Sequence, residues 1–112
     1  MLKKQFRLPA KQKLKQASFL KNPYFNLMFT RNNMSISRFG FTVKKSVDKR
    51  AVVRNRARRV LRSCIEELLE NIASGYDMLF MLEKGIIGKD REEIFELTKK
   101  IFNEKELFQK NK

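Results

Sequence analysis

The chain has 112 residues, 42% hydrophobic and 34% charged, with a formal net charge of +14 and no His. That length suits one compact domain and is short for two, and the lack of His removes His-based acid–base catalysis and His-containing metal sites. The charge is far more than solubility needs and points to a polyanion or an anionic membrane surface as partner.

The charge is also segregated. Residues 1–62 carry 18 Lys and Arg against one acid, Asp48, a net +17, whereas residues 63–112 carry 8 against 11 acids, a net −3. A protein charged only for solubility intermixes its signs, so the first half is the candidate binding region and the second reads as scaffold. The single Cys64 has no partner for an internal disulfide, which fits a reducing compartment. The longest uninterrupted apolar run, 78–82, is far shorter than a membrane span. No apolar stretch follows Lys3 and Lys4, as a signal peptide would need. The chain reads as a soluble, cytoplasmic, nucleic-acid-facing domain.

Residues 10–20 place Ala10, Leu14, Ala17 and Leu20 at helical spacing and are predicted as a basic helix, with Pro9 in its first turn and Asn22-Pro23 as its stop. Residues 24–30 are predicted as a strand with Phe25, Leu27 and Phe29 on one face. Asn32-Asn33 signals a turn, because Asn tolerates positive φ. Residues 36–44 are predicted as a second strand, with Phe39, Phe41 and Val43 on one face and Gly40, Thr42 and Lys44 on the other. The two strands are expected to form a hairpin. A short further strand could sit at 6–8 or 46–49.

The clearest element is a helix over 51–72, where Val53, Ala57, Val60, Leu61, Cys64 and Leu68 form one apolar stripe. Ser74-Gly75 is expected to stop it. YDMLFML (76–82) has the length and continuous apolarity of a buried central strand. Asp90 is the expected N-cap of a last helix, with Glu92 and Glu93 in its first turn and Ile94, Leu97, Ile101, Leu107 and Phe108 on its apolar side. The order α-β-β-α-β-α describes an α/β (α+β) sandwich, a single domain over 1–112 with an ordered core at about 5–108 and a polar tail.

The chemistry is concentrated in KKSVDKRAVVRNRARRVLR (44–62), with nine Lys and Arg in 19 residues. At 100° per residue, Asn55, Arg58, Arg59 and Arg62 fall within an arc of roughly 100° opposite the apolar stripe, and Arg54 and Arg56 flank its edges. Arg suits phosphate because its planar fork makes bidentate, charge-assisted bonds, and Asn55 can both donate and accept. Arg54, Arg56 and Arg58 have no acid four residues on, and only Arg59 and Arg62 are near Glu66, Glu67 or Glu70, so a solvated, self-paired face explains the pattern less well than a polyanion. Lys44, Lys45, Lys49 and Arg50 are expected to extend the helix face into one phosphate-binding ridge.

The strand aromatics read first as core. A sheet face can also hold single-stranded RNA where an aromatic sits among small polar residues, with Gly40 and Thr42 on that face and Phe29 as its aromatic if its face is the open one. Asp48 reads as a loop cap and not as a metal ligand, and no constellation for a protein-based active site is present. A structural RNA-binding protein of ribosomal type shares this size, charge and build. A DNA-binding regulator fits less well, because a strand and not a helix precedes the basic helix.

The run RFGFTVKKSVDKRAVVRNRARRVLRSCIEELL (38–69) resembles the signature region of the bacterial ribonuclease P protein family, and Phe6-Arg7-Leu8 and YDMLFML fall where that family would place them. Lys44-Lys45-Ser46 stands where the family usually has Ser-Lys-Lys. The resemblance implies a central mixed sheet and an unusual left-handed βαβ crossover, against the common rule. It implies a protein subunit that binds a catalytic ribonuclease P RNA through Arg54, Asn55, Arg56, Arg58, Arg59 and Arg62. It further implies that the 5′ leader of precursor tRNA lies in a cleft between sheet and first helix, with Arg7, Leu14, Ser18, Phe29, Gly40 and Thr42 as candidate lining. Mg²⁺ would be bound mainly by the RNA, and no protein oligomer would be required.

Overall fold

A computed structural model describes residues 2–9 and 14–109. Strands β1 (Ser18–Lys21), β2 (Phe25–Arg31) and β3 (Arg38–Thr42) are followed by helix α1 (Ala51–Leu68), strand β4 (Tyr76–Leu82) and helix α2 (Arg91–Glu104). The sheet order is β1-β2-β4-β3, with β1–β2 and β2–β4 antiparallel and β3–β4 parallel. The fold is therefore a mixed α+β sandwich, as the sequence predicts, and YDMLFML is its central strand.

Two sequence expectations are corrected. The predicted hairpin of β2 and β3 does not form, because β4 lies between them. The most apolar strand, β4, takes an interior position between β2 and β3, and the edges fall to β1 and β3. The predicted helix over 10–20 is also absent from the described residues. Residues 10–13 lie outside the described residues, 14–17 are not helical, and 18–21 form β1. The actual hairpin is β1–β2. Asn22 turns it by accepting hydrogen bonds at Oδ1 from the backbone N–H of Tyr24 (2.8 Å) and Phe25 (3.1 Å). The Asn-Pro pair thus ends a strand, not a helix.

Register fixes the two faces. Phe25, Leu27 and Phe29 oppose Leu82, Phe80 and Met78, and Phe39 and Phe41 lie beside Met78 and Phe80. All point to the side covered by the helices. Phe80 is the hub, edge-on to Phe25 and stacked on Phe41, each at 5.2 Å between ring centres. From α1 the core receives Ala57, Leu61, Cys64, Ile65 and Leu68. Ile65 widens the predicted stripe, and Val53 and Val60 lie at its half-buried margin. Burial pushes the Cys64 thiol up to about 11, so it acts as a packing residue and not as a nucleophile.

The predicted stops hold with small changes. α1 ends at Leu68 and tightens into a 3₁₀ turn (Leu69–Asn71), and Gly75 takes φ +88° before β4 begins. Asn33 takes φ +59° in the turn predicted for it. Asp90 precedes α2, but its side chain makes no capping bond. At the other end, α2 stops at Glu104, short of the predicted 108. The packed chain starts earlier than expected, with Leu2 at 2% exposure in the core. Residues 6–8, one of the two places suggested for a further strand, contribute one parallel bridge, Arg7 to Phe39, along the free edge of β3; 46–49 is a turn and bend.

Candidate nucleic-acid interface

Helix α1 is held against the sheet by its apolar side, which leaves its other side to solvent. Asn55, Arg56 and Arg59 are exposed, and Arg58 and Arg62 are half-buried. Asn55, Arg58, Arg59 and Arg62 line one open groove of about 590 Å³, with Val52, Ser63 and Glu66. This is the arc expected from the helical wheel. Arg58 donates to Asn55 Oδ1, which orients the amide within the groove. Arg56, Arg59 and Arg62 make no ion pair among the described residues. The N-terminus of α1 carries no acid in its first turn, so the helix dipole adds to the positive potential there.

Two arginines of the predicted ridge do other work. Arg54 turns back on the loop before the helix and donates from one terminal nitrogen to the carbonyls of Asp48 (2.9 Å) and Lys49 (3.0 Å). Arg50 forks onto Asp48 at 3.0 and 2.9 Å, and its backbone N–H also donates to Asp48 Oδ1. The Arg50 hydrogen bonds hold the Asp48 carboxyl down at about 2. Asp48 is thus the loop cap that the sequence suggests. Lys44, Lys45 and Lys49 remain exposed on the loop that these contacts shape. Arg54→Ala is expected to lower stability by about 1.5 kcal/mol, the loss of charge-assisted bonds, while Arg56→Ala leaves it unchanged. Thermal melts of the two variants check this.

The predicted cleft residues separate. Gly40 and Thr42 lie on the sheet face away from the helices, beside Leu79 and Met81. A Cβ at Gly40 would meet Leu79 Cδ1 at 3.2 Å and Leu8 Cβ at 3.3 Å, so the absent side chain is what lets Leu8 close over this strand. Phe29 is on the opposite face, edge-on to Tyr76 at 6.3 Å, and cannot be the open-face aromatic. Ser18 opposes Phe29 and shares its face. Leu14 is half-buried outside any helix, and Arg7 lies at the edge of β3. The open face instead carries Phe19, half-exposed at 50%, with Lys21 Nζ 5.8 Å from its ring centre. Period-two alternation in SFLK is the signal that could have shown this. Met28 and Leu79, paired across β2 and β4, form the floor beside it.

A family model described as ribonuclease P matches residues 2–106. The chain belongs to the ribonuclease P protein family. The ribonuclease P protein component of Caldanaerobacter subterraneus is 33% identical over 91 residues, 76% of this chain and 78% of that protein. That of Microcystis aeruginosa is 40% identical over 65 residues, 58% of this chain and about half, 54%, of its own length. Among solved structures, the RNase P protein of Thermotoga maritima superposes with a TM-score of 0.68 at 26% identity, covering 87% of this chain and 92% of that one. The RNase P protein of Staphylococcus aureus shares the fold, with a TM-score of 0.74 at 19% identity over 85% and 86% of the two chains. The ribonuclease P match includes both the α1 groove and the N-terminal segment that bridges β3. No helix among the described residues is long and apolar enough to cross a membrane.

Proposed function

We propose that this chain is the protein subunit of a cytoplasmic ribonuclease P, the endoribonuclease that removes the 5′ leader of precursor tRNA to give the mature 5′ end. The observation that carries this reading is the α1 groove, where Asn55 and three arginines, Arg58, Arg59 and Arg62, converge against a single lining acid, Glu66. Such a face is unfavourable alone and favourable against phosphates, whose counterions it releases. In this reading α1 and the loop lysines hold the ribonuclease P RNA. The face with Phe19, Gly40 and Thr42 holds the single-stranded leader, its aromatic offering a stacking surface.

The residues present do not fit a Mg²⁺ site. Among the described residues no three acids or thiols gather, and both Asp48 oxygens are engaged by Arg50. In this reading Mg²⁺ is bound mainly by the RNA subunit, where it would supply the hydrolytic chemistry, and this chain contributes binding and orientation. Reconstitution tests the reading. At limiting Mg²⁺, adding the protein to its cognate ribonuclease P RNA is expected to raise precursor-tRNA cleavage at least about ten-fold, equivalent to roughly 1.4 kcal/mol. The gain should shrink when the leader is shortened. Equal rates with and without protein would refute the proposal.

A further inference from the structure

A second cavity, of about 280 Å³, lies round the edge of β3 and is lined by Leu2, Arg7, Leu8, Gly40, Arg58 and Arg62, among others. Three of these are arginines, drawn from two distant chain segments, and no acid lines the space. Arg7 is built into place. Its Nε donates to Leu2 O at 3.0 Å, Leu2 is buried in the core, and the Leu8 N–H donates to Phe39 O at 2.9 Å. The terminal nitrogens of Arg7 have no partner among the described residues. Arg58 and Arg62 stand one turn apart on α1, both half-buried, while Arg7 is exposed at the mouth of the space. Cations that converge in a partly desolvated space repel more strongly than in water, and an anion between them reverses the sign of the interaction. Arginine forks match the tetrahedral oxygens of a phosphate.

We propose that Arg7, Arg58 and Arg62 form a binding site for one phosphodiester of RNA, at the junction of the two RNA-binding surfaces. The cavity shares Arg58 and Arg62 with the α1 groove and Gly40 with the open sheet face. A strand with one phosphate here passes from one surface to the other round the β3 edge. This deepens the proposed function and rests on it. The N-terminal segment is then an RNA-binding element, and not only a cover for the β3 edge.

Arg7→Gln is the informative variant, since its amide nitrogen replaces Nε as donor to Leu2 O while the charge is lost. An unchanged Tm confirms that the segment stays docked. Two affinities are measured against salt: protein for ribonuclease P RNA, and holoenzyme for precursor tRNA. Arg7→Gln is expected to weaken one of them about five-fold and to flatten its log K against log[salt] slope by about 0.7–0.9. An effect in the first assigns the phosphate to the enzyme RNA, and in the second to the substrate. Because they share one phosphate, Arg7→Gln and Arg62→Ala together should weaken binding by less than the product of their separate effects. Arg56 lies by a different hollow, with Ile87 and Lys89, and its Ala variant should combine multiplicatively with Arg7→Gln. Multiplicative effects of Arg7→Gln and Arg62→Ala would overturn the site and leave the proposed function standing. So would a silent Arg7→Gln in both assays alongside a weakening Arg56→Ala. Silence of both Arg7→Gln and Arg56→Ala would overturn both proposals.

Discussion

Replacing Arg56 and Arg59 together by Ala is expected to weaken binding to ribonuclease P RNA by about 100-fold at physiological salt. Each charge-assisted bond is worth at least about 1.5 kcal/mol, and about 1.4 kcal/mol is ten-fold in affinity. Both side chains are exposed and make no ion pair among the described residues, so neither has an internal partner to lose. The double variant should therefore melt within about 0.5 kcal/mol of the parent. Its log K against log[salt] plot should flatten by about 1.4–1.8, one released counterion per contact. Arg50→Ala is the internal comparison. Arg50 already spends its fork on Asp48 at 2.9–3.0 Å, so its loss should flatten the slope less. An unchanged slope in the double variant would place the RNA elsewhere.

That contrast between Arg50 and Arg56 marks how far the site is legible in the sequence. The wheel of α1 correctly gathers Asn55, Arg58, Arg59 and Arg62, because helical period alone decides which residues share a face. It cannot tell Arg54 from Arg56. Both flank the arc, yet only Arg54 reaches the carbonyls of Asp48 and Lys49, because the loop returns past that edge. Where an arginine donates depends on chain that is distant in angle although near in sequence. The same limit separates Arg7 from the cleft. Nothing local to Phe6-Arg7-Leu8 indicates that it will lie beside β3 and face Arg58 and Arg62.

The fold divides along similar lines. α1 and β4 are read correctly because each has a long, one-sided or continuous apolar pattern. Strand pairing is not written in the strands. β2 and β3 carry good alternation and a turn between them, which is what a hairpin requires, and only the later β4 supplies a better neighbour for both. β1 is four residues long, too short for period two to stand out against the helical spacing of Leu14, Ala17 and Leu20. Phe29 falls on a strand by its alternation, but its face depends on where the helices pack. Alternation defines two faces without saying which is covered.

The largest effect on stability is expected at Asp77, which is 3% exposed on β4 and held by Arg38 Nε (2.9 Å), a terminal nitrogen of Arg38 (2.8 Å) and Asn32 Nδ2 (3.0 Å). Arg38 and Asp77 lie side by side in the parallel pair of β3 and β4, so this fork joins the edge strand to the central one. Asp77→Ala leaves both donors of the Arg38 fork without their acceptor, while Asn32 Nδ2 keeps the Ile36 carbonyl at 3.0 Å. Its cost should be about 3 kcal/mol, at the low end for a broken buried pair because Arg38 keeps 19% of its side chain in water. For a domain of this size that is a Tm drop of roughly 10 °C. Burial pushes the Asp77 carboxyl up, but the Arg38 and Asn32 hydrogen bonds and the Arg38 charge together outweigh it and leave it below the usual carboxylate range. A carboxyl with a lower pKa folded than unfolded adds stability above its unfolded value of about 3.9, and loses it as pH falls through the folded one. The gap between parent and Asp77→Ala should therefore be flat from about pH 5 to 8 and narrow below about pH 4. Replacing both partners by apolar residues, Arg38→Met with Asp77→Leu, should recover much of the loss, since the penalty lies in the orphaned donors and not in the missing pair. A single Asp77→Ala that costs under about 1 kcal/mol, or a gap that widens in acid, would mean that the fork does not hold β3 to β4.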